Sequence, residues 1–314
     1  MATVGARRRR RRAKGGRERY LVMLVDTREP MQWVEAKSIL TRTSGYLKTV
    51  TSHSLQPYVG CALGGSLCGV GCYARHNVFV TQGRSWGRFL VAKQNAADLY
   101  RRNAEREARW ARRHRGAFSV FLSSATEPFP PQEPRAGVTE GVLRAMLQSP
   151  PDELVVQTHS CLVVGVIGLL RELSACCRLR VHVSIESDRD ALPGLPRSAY
   201  TVRQRLDACR RLRDGGLFVV VTVAPLLPIR DPKAFFRALR EVADAVVVDH
   251  FVEGDGTPDG RRTWKTALPK AMEAVLPRST GLAYRDEIVE AARQWFDGPV
   301  GVGRDGFAGR FRFD

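Results

Sequence analysis

The sequence predicts an α/β fold, a partial (βα)6 TIM-like barrel carrying a disordered basic N-terminal arm. Three observations point there. From residue 117 onward, short β-branched runs alternate with amphipathic helical stretches, the pattern of βα units feeding a parallel sheet. The strand ends are polar, as they are where barrel loops carry a site. The chain has 314 residues, 44% of them hydrophobic, enough for one large core.

The elements follow in order. Residues 1–19 hold Arg7, Arg8, Arg9, Arg10, Arg11, Arg12, Lys14, Arg17 and Arg19 against the single acid Glu18, with no apolar periodicity, so a solvated, disordered arm is expected. Residues 20–52 form a lead-in, 53–252 the barrel and 253–314 a C-terminal helical extension packed on it. A first strand is drawn at 55–60, running straight into Cys61. A short strand at 89–93 and a long helix at 95–115 come next, the helix carrying seven arginines after position 100. Further strands are expected at 117–124, 153–159, 180–186, 217–224 and 245–251. The helices between them are expected at 139–148, 163–177, 201–214 and 231–243. The last has Phe235, Phe236, Leu239 and Val242 at helical spacing, and Gly215 and Gly216 stop the one before it.

Net charge is +18, and the body remains basic once the arm is removed. Charge alone licenses non-specific attraction to phosphates, so nucleic acid is one partner class that the arm and body suit. The longest apolar run covers ten residues, 161–170, short of the ~20 that span a bilayer. A soluble cytoplasmic protein with no membrane partner is expected. The loop 253–259 lacks the full ligand pattern of a calcium loop and reads as a solvated turn or lid.

The densest chemistry lies in the glycine-rich stretch that holds Cys61, Cys68 and Cys72. Glycines at 60, 64, 65, 69 and 71 let such a loop wrap three thiols around one point. Seven cysteines, an odd number with three crowded together, suit metal binding in a reducing compartment better than a disulfide framework. Cys176, Cys177 and Cys209 read as packing residues. The spacing C-x6-C-x3-C leaves three possibilities open: an iron-sulfur cluster with one iron free of protein, a Cys3His zinc site completed by His76, or cysteines that bind no metal.

The strand ends supply Ser123, Ser124, Thr126 and Glu127, then Gln157, Thr158, His159 and Ser160, then Ser184 and Glu186, then Ala224, and finally Asp249 and His250. Such a ring of polar groups suits a ligand cavity better than a dry core.

The cysteine loop with residues 34–40 before it and Tyr73, Ala74 and Arg75 after it resembles the radical S-adenosylmethionine superfamily, in particular the proteins similar to spore photoproduct lyase. Segments 90–96, 124–129, 158–160, 183–185, 205–206 and 223–228 agree in order along the chain, and the similarity spans about 34–310. The resemblance implies a [4Fe-4S] cluster on Cys61, Cys68 and Cys72, whose open iron takes S-adenosylmethionine (SAM). It also implies SAM contacts at Tyr73, Ser124, His159, Ser184, Arg205 and Ala224, and a one-electron donor such as flavodoxin or ferredoxin. Chemistry of this kind cleaves SAM to a 5′-deoxyadenosyl radical that abstracts hydrogen from a substrate.

Two departures from the family accompany the match. The family spaces its cysteines C-x3-C-x2-C with an aromatic residue before the third, whereas this loop is longer and has Gly71 there. True spore photoproduct lyases place a hydrogen-donating cysteine where this chain has Ser123-Ser124, and a serine O–H bond is too strong to quench a carbon radical as a thiol does. The sequence therefore leads to a DNA-repair-lyase-like enzyme lacking the usual donor cysteine, its catalytic residue and substrate unknown, the substrate possibly nucleic acid. Two alternatives stand beside it: the same chemistry on a protein, peptide or small molecule, and a zinc-stabilised, non-catalytic nucleic-acid-binding protein.

Overall fold

The computed structural model describes residues 31–311. The arm at 1–19, with Arg7 to Arg12, and the first part of the lead-in lie outside the described residues. The strands are β1 (Gln32–Val34), β2 (Leu40–Arg42), β3 (His53–Leu55), β4 (Tyr58–Gly60), β5 (Leu90–Lys93), β6 (Ser119–Leu122), β7 (Glu153–Thr158), β8 (Arg178–Ser184), β9 (Val219–Val223), β10 (Ala245–Val248) and β11 (Val300–Val302). Eight of them form one sheet in the order β11-β10-β9-β8-β7-β6-β3-β2. Every pairing from β3 through β11 is parallel, and β2 adds antiparallel at the edge. With helices between successive strands, this is the partial, open TIM-like barrel that the alternating pattern predicts.

Two details differ from the expected elements. The strand drawn at 55–60 is two strands, parted at Gln56 and Pro57. Proline has no N–H for a ladder and restricts the residue before it, so the chain leaves the barrel there. Only β3 pairs in the barrel; β4 pairs with β5 in a side sheet of order β1-β5-β4. The strand that leads into Cys61 is thus outside the barrel wall. The second difference is β11, which lies in the stretch expected to be helical and extends the sheet by a seventh parallel strand.

The helices match closely. Ala96–Arg115 buries Ala96, Leu99, Tyr100, Ala104, Ala108 and Ala111 on one stripe and leaves most of its arginines outside. Val202–Asp214 opens on a capping box between Thr201 and Gln204, and Pro232–Arg240 on the Asp231 side chain, which accepts from the Ala234 N–H. The 163–177 stretch is a 3-10 turn, Cys161–Val166, followed by an α-helix, Ile167–Ser174. Cys176 falls beyond that helix and is exposed rather than packed, while Cys209 is fully buried.

Alternation along the strands divides two layers. Val181 and Val183 of β8 join the core beneath the helices, whereas His182 faces inward. There its ring lies 6.5 Å from Phe121 and 6.0 Å from Phe307. Phe307 and Phe311, which follow β11, pack with Val220, Ala245 and Val247. The segment after β11 therefore fills the barrel from inside. It is tied by Arg310 Nη1, which donates to the Thr49 carbonyl at 3.1 Å.

Candidate active site

The cysteine loop is folded by close backbone approaches. A Cβ on Gly69 would lie 2.1 Å from the Gly64 carbonyl oxygen, and one on Gly64 would lie 2.6 Å from the Gly87 backbone. Glycine is required at both because nothing else fits the crossing. Gly71 lies against the Leu268 side chain, which unlike those backbones can turn aside, so the helix Leu268–Val275 backs the loop.

Cys61 is buried, with Cys68 and Cys72 half-buried beside it. Burial pushes the thiols up, Cys68 to about 12, and each feels the charge of its neighbours: Cys61 that of Cys68 and Cys72, Cys68 that of Cys72. The three are thus within electrostatic reach of one another. The backbone N–H groups of Ala74 and Arg75 point at Cys72 and favour its thiolate against that burial. Ser66 Oγ stands 3.3 Å from Cys68 Sγ.

Across from Cys68, a crevice is lined by Leu63, His159, Glu186, Ser198, Tyr200 and Arg205. Its polar wall is built from strand ends. Arg205, on the helix Val202–Asp214, reaches back over β8 and donates from Nη1 to the Ser184 carbonyl at 2.6 Å and to Glu186 Oε2 at 2.7 Å. His159 Nε2 sits 3.1 Å from Glu186 Oε1. Burial alone would raise the Glu186 carboxyl, but the Arg205 guanidinium and His159 outweigh it and hold the group well below the usual carboxylate range. The Arg205 Nε is buried without a hydrogen-bond partner among the described residues.

A second carboxylate ties two strand ends together. Glu127, after β6, accepts from the His159 N–H at 2.8 Å and the Phe129 N–H at 2.9 Å, and from the Thr158 hydroxyl. Beneath it, Gln157 Nε2 donates to Ser184 Oγ at 2.8 Å and Thr222 Oγ1 at 3.0 Å, linking β7, β8 and β9. On the opposite rim, the Tyr73 hydroxyl donates to the Ser124 carbonyl, and Tyr46 OH donates to Asp249 Oδ2 at 3.2 Å. Burial pushes the Asp249 carboxyl up to about 7 despite that bond.

No protein-family model matches this chain, and no curated protein sequence does. Solved structures do. Spore photoproduct lyase complexed with dinucleoside spore photoproduct is 13% identical, with a TM-score of 0.57, over 93% of this chain and 87% of that one. A doubly substituted form of that lyase, with bound AdoMet and dinucleoside spore photoproduct, is 13% identical with a TM-score of 0.57, over 94% and 87%. The fold is that of spore photoproduct lyase.

On this fold the residues expected at the site fall into two groups. His159, Ser184 and Arg205 are joined through Glu186, and Tyr73 meets Ser124 on the other rim. Ala224 is half-buried at the end of β9. Glu186 and Glu127 were visible in the sequence only as members of a polar ring. What distinguishes Glu186, a buried carboxylate facing a buried arginine on the next helix, appears only when that helix is laid over β8. His76 is exposed, and among the described residues no three His, Cys, Asp or Glu side chains, those of Cys61, Cys68 and Cys72 included, are already drawn together as metal ligands. The loop 253–259 is a turn organised by Asp255, whose carboxylate accepts from the N–H groups of Thr257 and Thr263 at 2.9 and 2.8 Å.

Proposed function

We propose that the protein is a radical SAM enzyme in which Cys61, Cys68 and Cys72 hold a [4Fe-4S] cluster and SAM binds against the Glu186, Arg205 and His159 network, where the crevice, about 10 Å³ here, opens to admit it. The observation that carries this is the crevice that Cys68 shares with Glu186, Arg205 and His159, with Cys61 and Cys72 within electrostatic reach of the Cys68 thiol. The donor set fits the cluster. A single zinc draws its thiolates to ~2.3 Å from one ion, whereas each thiolate of a cluster binds a different iron, so the three stand farther apart. Backbone N–H groups aimed at Cys72 are the kind of partner that tunes such sulfurs.

The cluster and SAM, when bound, would supply reductive cleavage of SAM and the hydrogen-abstracting power that goes with it, the electron coming from an external one-electron donor. The protein's own residues bind and shield. Arg205, through its unpartnered Nε, and His159 offer donors to a carboxylate. Glu186, kept ionised, offers an acceptor to an ammonium group. Tyr73, Ser124, Ser184 and Ala224, the last at the end of β9, would supply the remaining contacts to SAM, as the family resemblance implies. The packed glycine crossing and the helix Leu268–Val275 keep water from the thiols.

The substrate class we favour is nucleic acid, on the strength of the +18 charge. Ser123, in the left-handed region at φ 68° with its hydroxyl buried and unpartnered among the described residues, stands where the family's lyases carry their donor thiol. Repair of the thymine lesion by direct thiol donation is therefore not the proposed reaction. Protein purified without oxygen is expected to carry about four irons per chain and to form 5′-deoxyadenosine when reduced with SAM. Absence of iron and of deoxyadenosine after reconstitution would refute the proposal.

A further inference from the structure

We propose that the face around the turn Tyr73–His76 is the docking surface for an acidic one-electron carrier protein. The inference rests on the reading of Cys61, Cys68 and Cys72 as cluster ligands and adds where the electron enters.

The turn directly follows Cys72, and Arg75, His76 and Val78 are exposed on it and just beyond it. The short helix Arg261–Trp264 packs against this turn and brings Arg261 and Trp264 to the surface, with exposed Lys265 next to it. Arg75, Lys265 and Arg262 all act on the His76 imidazole, with Asp255 as the opposing charge, which places three cations and one carboxylate around one spot. Among the described residues, five large apolar side chains are exposed, and two of them, Val78 at 69% and Trp264 at 47%, lie here. Trp264 stands on Phe251, ring centroids 5.6 Å apart, so its exposed face has a firm support.

Two carboxylates, Asp255 and Asp259, also lie at this face, Asp259 accepting from the Arg261 N–H at 3.3 Å. Arg75, Arg261 and Lys265 form no ion pair with a described carboxylate. On the arginine helix Ala96–Arg115 the balance is different: four of its seven arginines, Arg101, Arg106, Arg109 and Arg112, are paired with an acid. An apolar centre ringed by unpaired positive charge is the anatomy of a protein interface that recruits an acidic partner by steering. Electron transfer falls steeply with distance, so a carrier has to approach the thiols from a face that reaches them, and this face ends on Cys72. A nucleic-acid strand would use the charge and leave Val78 without a counterpart.

The test is binding of oxidised flavodoxin to the metal-free protein at low and high salt. Charge reversal by Arg261→Glu with Lys265→Glu is expected to weaken binding about tenfold at low salt, and Val78→Asp to weaken it at both salts. Reversal of two exposed cations on the arginine helix, Arg102→Glu with Arg113→Glu, is expected to leave it unchanged. In iron-loaded protein, the same Arg261/Lys265 variant should form deoxyadenosine normally with dithionite and more slowly with reduced flavodoxin. Equal flavodoxin affinity in wild type and the Arg261/Lys265 variant, or an equal loss in the arginine-helix variant, overturns the proposal. So does single-stranded DNA that binds through Arg261 and Lys265 where flavodoxin does not. A protein that takes up no iron defeats the cluster reading alone, because the binding measurement is made without metal.

Discussion

Glu186 and Arg205 form a charge pair that is almost wholly enclosed, their side chains 6% and 3% exposed. Breaking such a pair by removing one partner leaves a buried charge uncompensated and typically costs about 3–5 kcal/mol. Glu186→Gln is expected to lose stability on that scale in urea unfolding at neutral pH. The sign of its pH dependence follows from the depressed carboxyl. The stabilisation is fully present above the unfolded glutamate value, ~4.3, and is lost as pH falls through the folded value. The gap between wild type and Glu186→Gln should therefore stay constant from about pH 7 down to about 4.3 and narrow below it. Cys72→Ala tests the other wall of the crevice: iron uptake and SAM cleavage should both vanish, and full retention of either removes Cys72 from the site. His159 and Ser184 were legible as polar groups at strand ends, and Arg205 only through the family resemblance, in the helix that follows. Their common partner was not, because pairing positions 186 and 205 requires knowing how the helix returns across the strand.

Among the elements, the cysteine loop depends on backbone crossings more than on side-chain packing. Gly69→Ala places a methyl group against the Gly64 carbonyl and, on our reading, opens the loop without touching the barrel core. Iron per chain should fall severalfold while far-UV circular dichroism is nearly unchanged; normal iron content would show that the loop relaxes at no cost. The β-branched runs at 119–122, 153–158 and 219–223 made their strands readable, since period and composition agree there. β11 was not readable. Val300, Gly301 and Val302 are too few to show a period, and their partner β10 is distant in sequence. Pro57 did carry the signal for the break after β3, but the apolar run on either side of it reads as continuous.

For the molecule as a whole, two ends of the chain bear on function differently. Deleting residues 1–19 removes a net charge of +8. If the arm contributes to nucleic-acid binding, the slope of log affinity against log salt should flatten, with SAM cleavage unaffected; an unchanged slope would remove the arm from the interface. Phe307, within the barrel, touches Phe121 and His182. Phe307→Ala should destabilise the fold by about 2–3 kcal/mol in thermal or urea unfolding, toward the low end for an aromatic truncation because the ring is only half-buried.

The filling of the barrel by the segment after β11 also sets an order of events during folding. Arg310 meets Thr49 across 261 positions of chain, and Tyr46 meets Asp249 across 203. Closing loops of that length costs entropy before any of these contacts repays it, which slows folding. The helices and neighbouring parallel strands can associate through shorter loops first. The rim that carries Asp249 is completed only when the far ends of the barrel meet, so the site should mature in the slowest kinetic phase, after most of the helical signal has already developed.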